Sequence, residues 1–220
     1  MRIGIIGAGF IGQAVAQRVI AAGHEVMLSN SRGPQTLNGL LVQIPGVRIG
    51  TIEDAAAFGD VVLVAIPFKH YPTLSAKWLA GKTVLDANNY YPERDGSFPA
   101  LDRCETTTSR LLAEHLPGAS VVKVFNAILA DDLIRDARPG TAHDRRALPV
   151  AADDPAAKAL AIQLLDEVGF DAVDAGNLDE SWRFERAKPA YCVPLNREAL
   201  KVALAGAERH VELPHGSWRH

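Results

Sequence analysis

The chain has 220 residues, 48% of them hydrophobic, and 23 Lys and Arg against 26 Asp and Glu give a formal net charge of -3. That length and apolar share allow a sizeable buried core, as one domain or one domain with an appendage. Charges of both signs are scattered, so no basic stripe suits nucleic acid and no polybasic run suits a membrane surface, and no apolar run approaches the roughly 20 residues needed to span a bilayer.

The first stretch is the most informative. Arg2 to Ile6 is a short apolar run that reads as a buried strand, Gly7, Gly9 and Gly12 follow as G-x-G-x-x-G, Phe10 to Ala22 has helical periodicity, and Val26 to Leu28 reads as a second strand. In such a unit the first glycine makes the turn, the second lets backbone approach a pyrophosphate, and the third lets helix pack on strand. A glycine fingerprint set strand, turn, helix, strand points to dinucleotide binding far better than the glycines alone. An NAD site usually places Asp or Glu about 20 residues past the glycines, to hold the ribose hydroxyls. Here that place holds Ser29, Asn30, Ser31 and Arg32. Two hydroxyls, an amide and a guanidinium can meet a ribose 2'-phosphate, so the pattern reads as NADP. The bland alternative is a polar loop with an exposed arginine.

Further along, Pro34 to Gln43 reads as a helix, Val47 to Gly50 as a strand, Ile52 to Phe58 as a helix and Asp60 to Ile66 as a strand. Tyr71 to Leu79 reads as a helix, Thr83 to Asp86 as a strand, Ser109 to His115 as a helix and Ser120 to Phe125 as a strand. Leu129 to Arg135 is helical, Ala147 to Ala151 extended, Pro155 to Val168 helical with Pro155 in its first turn, and Ala172 to Asp174 extended. Continuous apolar strands alternating with helices imply an α/β fold, a doubly wound, Rossmann-type, mainly parallel sheet of about eight strands. Residues 1–176 would form the cofactor-binding domain and 177–220 a C-terminal helical segment packed on it as one compact unit.

Ligands of such sheets lie outside the carboxyl ends of the strands. Those ends carry Ile66 and Pro67, Asn88 and Asn89, and Asn126 and Ala127. Asn88 and Asn126 suit a nicotinamide carboxamide or a ribose hydroxyl, since Asn both donates and accepts, or they only cap the turns that follow. Lys123 within an apolar strand calls for an ion pair, a sheet edge, or a substrate oxygen. The connection from Asn88 to Thr107 is long enough for a lid, and its Tyr90 and Tyr91 could cover a planar ring. Thr106 to Ser109 would cap the next helix. Cys104 and Cys192 stand far apart, which fits two reduced thiols, and the histidines show no metal-binding spacing. A strand starting at Arg2 leaves no room for a signal peptide, so a cytoplasmic protein is expected.

Given IGIIGAGFIGQAV, AGHEV, SNSR, LPGASVVKVFNAI and DAGNL, the chain resembles the NADPH-dependent coenzyme F420 reductase-like family. Its Rossmann domain is also similar to that of the membrane ferric reductases. The most specific part is the V-V-K-x-F-N string from Val121 to Asn126. The resemblance implies NADP held at Gly9 to Ile11, at Ser29 and Arg32, and along the backbone at Ile66 and Asn126. It also implies a homodimer and a second planar ring, coenzyme F420 or a flavin, stacked on the nicotinamide. The chain departs from the family at Asn177, where a proline is common, and in the region from Asp179 to Asn196 that would shape the second pocket, with Trp182, Arg183 and Tyr191. Hydride transfer between two rings needs orientation and exclusion of water more than a protein acid or base, and no catalytic dyad is evident. The alternatives are a reductase of a small imine or carbonyl compound, with a proton donor at Tyr90, Tyr91 or Lys123, and a protein that senses NADP without turnover.

Overall fold

The computed structural model describes residues 1–214 and 216–217. In chain order the elements are β1 (Arg2–Ile6), α1 (Phe10–Ala21), β2 (Glu25–Ser29), a 3-10 turn (Pro34–Leu37), α2 (Leu40–Gln43), β3 (Val47–Gly50), α3 (Ile52–Phe58) and β4 (Val61–Val64). A second 3-10 segment (Phe68–Thr73), α4 (Ala76–Leu79), β5 (Thr83–Asp86), α5 (Pro92–Asp95), α6 (Pro99–Asp102), α7 (Thr108–His115) and β6 (Ser120–Lys123) follow. The chain continues with α8 (Ala130–Arg135), β7 (Ala147–Ala152), α9 (Pro155–Val168), β8 (Asp171–Asp174), a third 3-10 segment (Leu178–Phe184) and α10 (Arg197–Ala205).

All eight strands form one sheet in the order β3-β2-β1-β4-β5-β6-β7-β8. The first six run parallel, β7 runs against β6 with Lys123 beside Ala151, and β8 runs parallel to β7. Successive strand residues point to opposite faces, so a strand covered on both sides must be apolar throughout. In β4, Leu63 packs into the cluster with Ile3, Ile5, Val15 and Leu164, while Val62 and Val64 pack with Ile6, Val84 and Leu112 on the other face. The expected doubly wound α/β sheet is therefore what forms. No helix among the described residues is long and apolar enough to cross a membrane.

Several expected elements differ in detail. The helix expected over Pro34 to Gln43 is a 3-10 turn and a separate single turn, because Gly39 between them is a poor helix former. The helix expected from Tyr71 to Leu79 begins earlier, at Phe68, as a 3-10 segment containing Pro72, becomes extended at Leu74 and resumes as α4. The strand expected from Asp60 to Ile66 closes at Val64, and the amide of Ile66 is taken by the Asn88 side chain. The long connection after β5 contains α5 and α6, each opened by a proline at its first turn. α9 matches its expected bounds because its signals agree: Asp154 accepts from the Ala156 and Ala157 amides, Pro155 opens the helix, and Gly169 closes it with φ 104°. Beyond β8 the described chain is the third 3-10 segment, a loop and α10, and residues 215 and 218–220 of the expected C-terminal segment lie outside the described residues.

Candidate functional site

The turn between β1 and α1 is built by glycines with different tasks. Gly7 has φ 120°, and a Cβ there would lie 2.1 Å from the Ala65 carbonyl oxygen. A Cβ at Gly12 would lie 1.9 Å from the Gly7 carbonyl oxygen, so helix and turn touch backbone to backbone. At Gly9 a Cβ would meet nothing within 4 Å. The protein itself requires Gly7 and Gly12, whereas the bare face of Gly9 is open space. Gly9 is the N-cap of α1, contributes no side-chain cap, and no acidic residue occupies the first turn. The positive end of the helix dipole and its outward amides thus face that space without a competing carboxylate. This is the cradle a pyrophosphate fits.

Next to it lies a hollow of about 590 Å³ lined by Gly7, Gly9, Asn30, Ser31, Arg32, Ile66, Pro67 and His70, within the size range of ligand sites. Asn30 accepts from the Arg32 amide at 3.0 Å and donates to Thr36 at 2.9 Å, which fixes the turn that displays the exposed Ser31 and Arg32. Ser29 is a correction to its expected role. Its hydroxyl is fully buried and donates to the Ile5 carbonyl at 2.9 Å, tying β2 to β1 rather than facing a ligand. Ile66 lines the hollow as expected of the end of β4, with its amide donating to Asn88 Oδ1 at 2.8 Å. Ile52, Thr73 and Leu74 also line this hollow, and no local pattern marks them in the sequence.

On the other side of the glycine turn is a second hollow of about 400 Å³, lined by Phe10, Ile11, Asn89, Tyr91, Asn126 and Tyr191 among others. Phe10 is 86% exposed there, a large apolar ring at the helix start with no cover. Asn126 donates to the Phe184 carbonyl at 3.0 Å and to Asn89 Oδ1 at 3.2 Å, while its own Oδ1 has no partner among the described residues. Asn88 is buried one strand away and bridges the ends of β4 and β5, so it lies behind this wall rather than in it. Phe125 holds a left-handed φ of 62°, which turns the chain after β6 and sets Asn126 and Ala127 at the sheet's end. The Ala127 carbonyl accepts from the Cys192 amide at 3.2 Å, so the C-terminal segment is anchored at this place.

Lys123 is fully buried in a central strand and is a structural ion pair. Its ammonium donates to Asp86 Oδ2 at 3.2 Å, to the Asn88 carbonyl and to Thr108 Oγ1 at 2.8 Å. Asp86 also accepts from Ser109 Oγ and the Asn88 amide. Thr107 caps α7 by accepting from the Arg110 amide, as expected of that threonine run.

The aromatic residues divide differently from their expected roles. Tyr90 donates to Asp102 Oδ1 at 2.6 Å, accepts from the Phe98 amide at 3.2 Å, and its ring packs on Phe68 and Phe98. Trp182 is 9% exposed and lies beneath Arg183, Lys188 and Arg209 at 4.5, 5.6 and 5.7 Å. Both line a separate cavity of about 200 Å³. The pair that does line the hollow beside Phe10 is Tyr91 and Tyr191, whose hydroxyls bond to each other. Burial pushes the Tyr191 phenol far above its ordinary range and the Cys192 thiol up to about 12, so both are neutral at physiological pH. Sequence reasoning had no means to tell Tyr90 from Tyr91.

Comparison with known proteins points the same way as the turn. The family described as NADP oxidoreductase, coenzyme F420-dependent, matches residues 2–90. Metalloreductase STEAP3 of Rattus norvegicus is 29% identical over 199 residues, covering 88% of this chain and 38% of the rat protein. The chain thus spans less than two fifths of the curated relatives it matches. A hypothetical protein of Sinorhizobium meliloti is 29% identical with a TM-score of 0.75, covering 90% of this chain and 95% of that one. A candidate F420-dependent NADP reductase from Arthrobacter sp. FB24 is 28% identical with a TM-score of 0.69, covering 81% and 86%. The chain resembles the F420-dependent NADP oxidoreductases, and these likenesses support NADP-dependent oxidoreduction with the acceptor unspecified.

Proposed function

We propose that the chain is an NADP-dependent oxidoreductase that moves a hydride between NADP(H) and a planar small-molecule acceptor, coenzyme F420 first and a flavin second. The observation that carries the reading is the open face of Gly9 at an uncapped helix start, between two hollows that flank the turn. In this reading Gly7 and Gly12 shape the turn, Gly9, Phe10 and Ile11 meet the pyrophosphate and the ring beyond it, and Asn30, Ser31 and Arg32 select the 2'-phosphate. NADPH, when bound, supplies a hydride from its nicotinamide ring. The chain supplies orientation and the exclusion of water, with Phe10 and Asn126 flanking the acceptor side. A cofactor domain of residues 1–176, a C-terminal segment that closes the acceptor side, a homodimer and a cytoplasmic location belong to the same proposal.

Titration of the protein with NADPH and NADH tests it. NADPH should bind at least tenfold more tightly, about 1.4 kcal/mol. Arg32→Ala should remove most of that preference, because a charge-assisted hydrogen bond contributes roughly 1.5–3 kcal/mol. Equal constants for the two cofactors would refute the NADP assignment. Tight NADPH binding with no oxidation by coenzyme F420 or FMN would favour a sensing role instead.

A further inference from the structure

We infer that the Tyr91 hydroxyl gives a proton to the hydride acceptor, that Tyr191 positions it, and that the acceptor carries an oxygen or nitrogen conjugated with the atom that takes the hydride. The inference rests on the oxidoreductase reading and adds to it the class of acceptor and the group that serves it.

The geometry separates the three proton donors that the sequence offers, Lys123, Tyr90 and Tyr91. Lys123 is fully buried, with all three of its hydrogen-bond directions used by Asp86, Asn88 and Thr108. The Tyr90 hydroxyl is engaged by Gly96, Phe98 and Asp102 within its own loop, and its ring lines a different cavity. Tyr91 lines the hollow with Phe10, Ile11 and Asn126. Its hydroxyl meets that of Tyr191, which is 4% exposed. Tyr191 also meets the Cys192 side chain, and a hydrogen-bond chain from the Cys192 thiol through Tyr191 to the Tyr91 oxygen would leave the Tyr91 hydrogen for the hollow. Arg94 and Arg186 lie over the Tyr91 ring at 4.7 and 5.6 Å. Negative charge that develops on the Tyr91 oxygen as its proton departs is therefore met by one hydroxyl and two cations.

The step balances. The accepting atom, a carbon in coenzyme F420 or pyrroline and N5 in FMN, gains a hydride with its electron pair from NADPH, which leaves as NADP+. The acceptor oxygen or nitrogen gains the proton as the Tyr91 O–H bond breaks, and solvent returns a proton to the Tyr91 oxygen. The competing view is that the two hydroxyls only tie the C-terminal segment to the loop.

The test uses the whole chain, with coenzyme F420, FMN and pyrroline as acceptors. Tyr91→Phe should lower kcat about 100-fold or more, the scale of general acid catalysis, with the NADPH dissociation constant within about twofold of the parent. FMN affinity, read by fluorescence without NADPH, should fall about tenfold with the lost hydrogen bond. Tyr191→Phe should keep FMN affinity and lower kcat less, about tenfold, and single-turnover NADPH oxidation by the parent protein should be slower in D2O. If Tyr91→Phe loses thermal stability alone, with kcat and FMN affinity retained, the proposal is overturned and the hydroxyl pair is a tie. If it fails to fold, the Tyr191→Phe and D2O arms decide, and no effect in either overturns the proposal. Parent protein that binds NADPH but oxidises it with none of the three acceptors refutes the oxidoreductase reading itself, and the proton-donor role with it.

Discussion

Replacing Lys123 by Met removes one partner of a fully buried ion pair and leaves the other in place. Asp86 keeps its hydrogen bonds from Ser109 and the Asn88 amide but loses its only countercharge among the described residues. Breaking a buried pair in this way costs about 3–5 kcal/mol, because the surviving charge remains in a low-dielectric interior. At about 2–4 °C per kcal/mol for a chain of this size, the melting temperature should fall by about 6–20 °C. Urea denaturation of the parent, Lys123→Met and the double variant Lys123→Met, Asp86→Asn measures it. The double variant should recover part of the loss, since a neutral amide can still meet Ser109 with no charge to strand. NADPH binding should also weaken in the single variant. Lys123 holds the Asn88 carbonyl, and Asn88 in turn holds the Ile66 amide beside the cofactor hollow. A loss below about 1 kcal/mol in Lys123→Met, or a double variant as unstable as the single one, would refute the reasoning.

Three other substitutions probe the site and its frame. Gly9→Val should abolish NADPH binding with little change in melting temperature, whereas Gly12→Ala should destabilise the fold, because only the second Cβ strikes backbone. Calorimetry beside NADPH titration reads both, and normal NADPH binding by Gly9→Val would move the ligand elsewhere. Trp182→Ala should cost about 3–5 kcal/mol of stability while kinetics with the acceptor stay as in the parent, and a raised acceptor KM at unchanged stability would return Trp182 to the acceptor site. Asp95 gives a pH dependence: burial pushes its carboxyl up, but hydrogen bonds from Arg94 and the Tyr91 amide outweigh this and hold it below 3.8. A depressed folded value means its contribution is whole above the unfolded value and is lost as pH falls through the folded one. The stabilities of parent and Asp95→Asn should therefore converge in acid below pH 3.8, and a gap that widens there would contradict the assignment.

What was legible in the sequence follows from how local each signal is. β1, the glycine turn, α3 and α9 are written in contiguous patterns of apolar runs, caps and glycines, and they form where those patterns end. The broken helices at Gly39 and Pro72 carried their breakers in plain view, yet neighbouring apolar residues masked them. Ser29 shows a different limit. Its place at the end of β2 was clear, but alternation along the strand, which no motif records, decides whether the hydroxyl faces the ligand or the Ile5 carbonyl. The choice between Tyr90 and Tyr91 was invisible for the same reason. It depends on Asp102 claiming one hydroxyl and Tyr191, 100 residues away, claiming the other.

The reversed direction of β7 governs when the acceptor side can exist during folding. Because β7 runs against β6, the chain leaves β8 at the far end of the sheet, where Asp153 and Asp179 bind Arg110, and must travel back to set Cys192 on Ala127. The cofactor half needs only parallel units close together in the chain. The wall bearing Tyr191 waits for contacts that close loops of about a hundred residues, which are slow to form. During refolding, NADPH binding should therefore appear before FMN binding. The second hollow would be the last part of the molecule to assemble and, on local unfolding, the first to open.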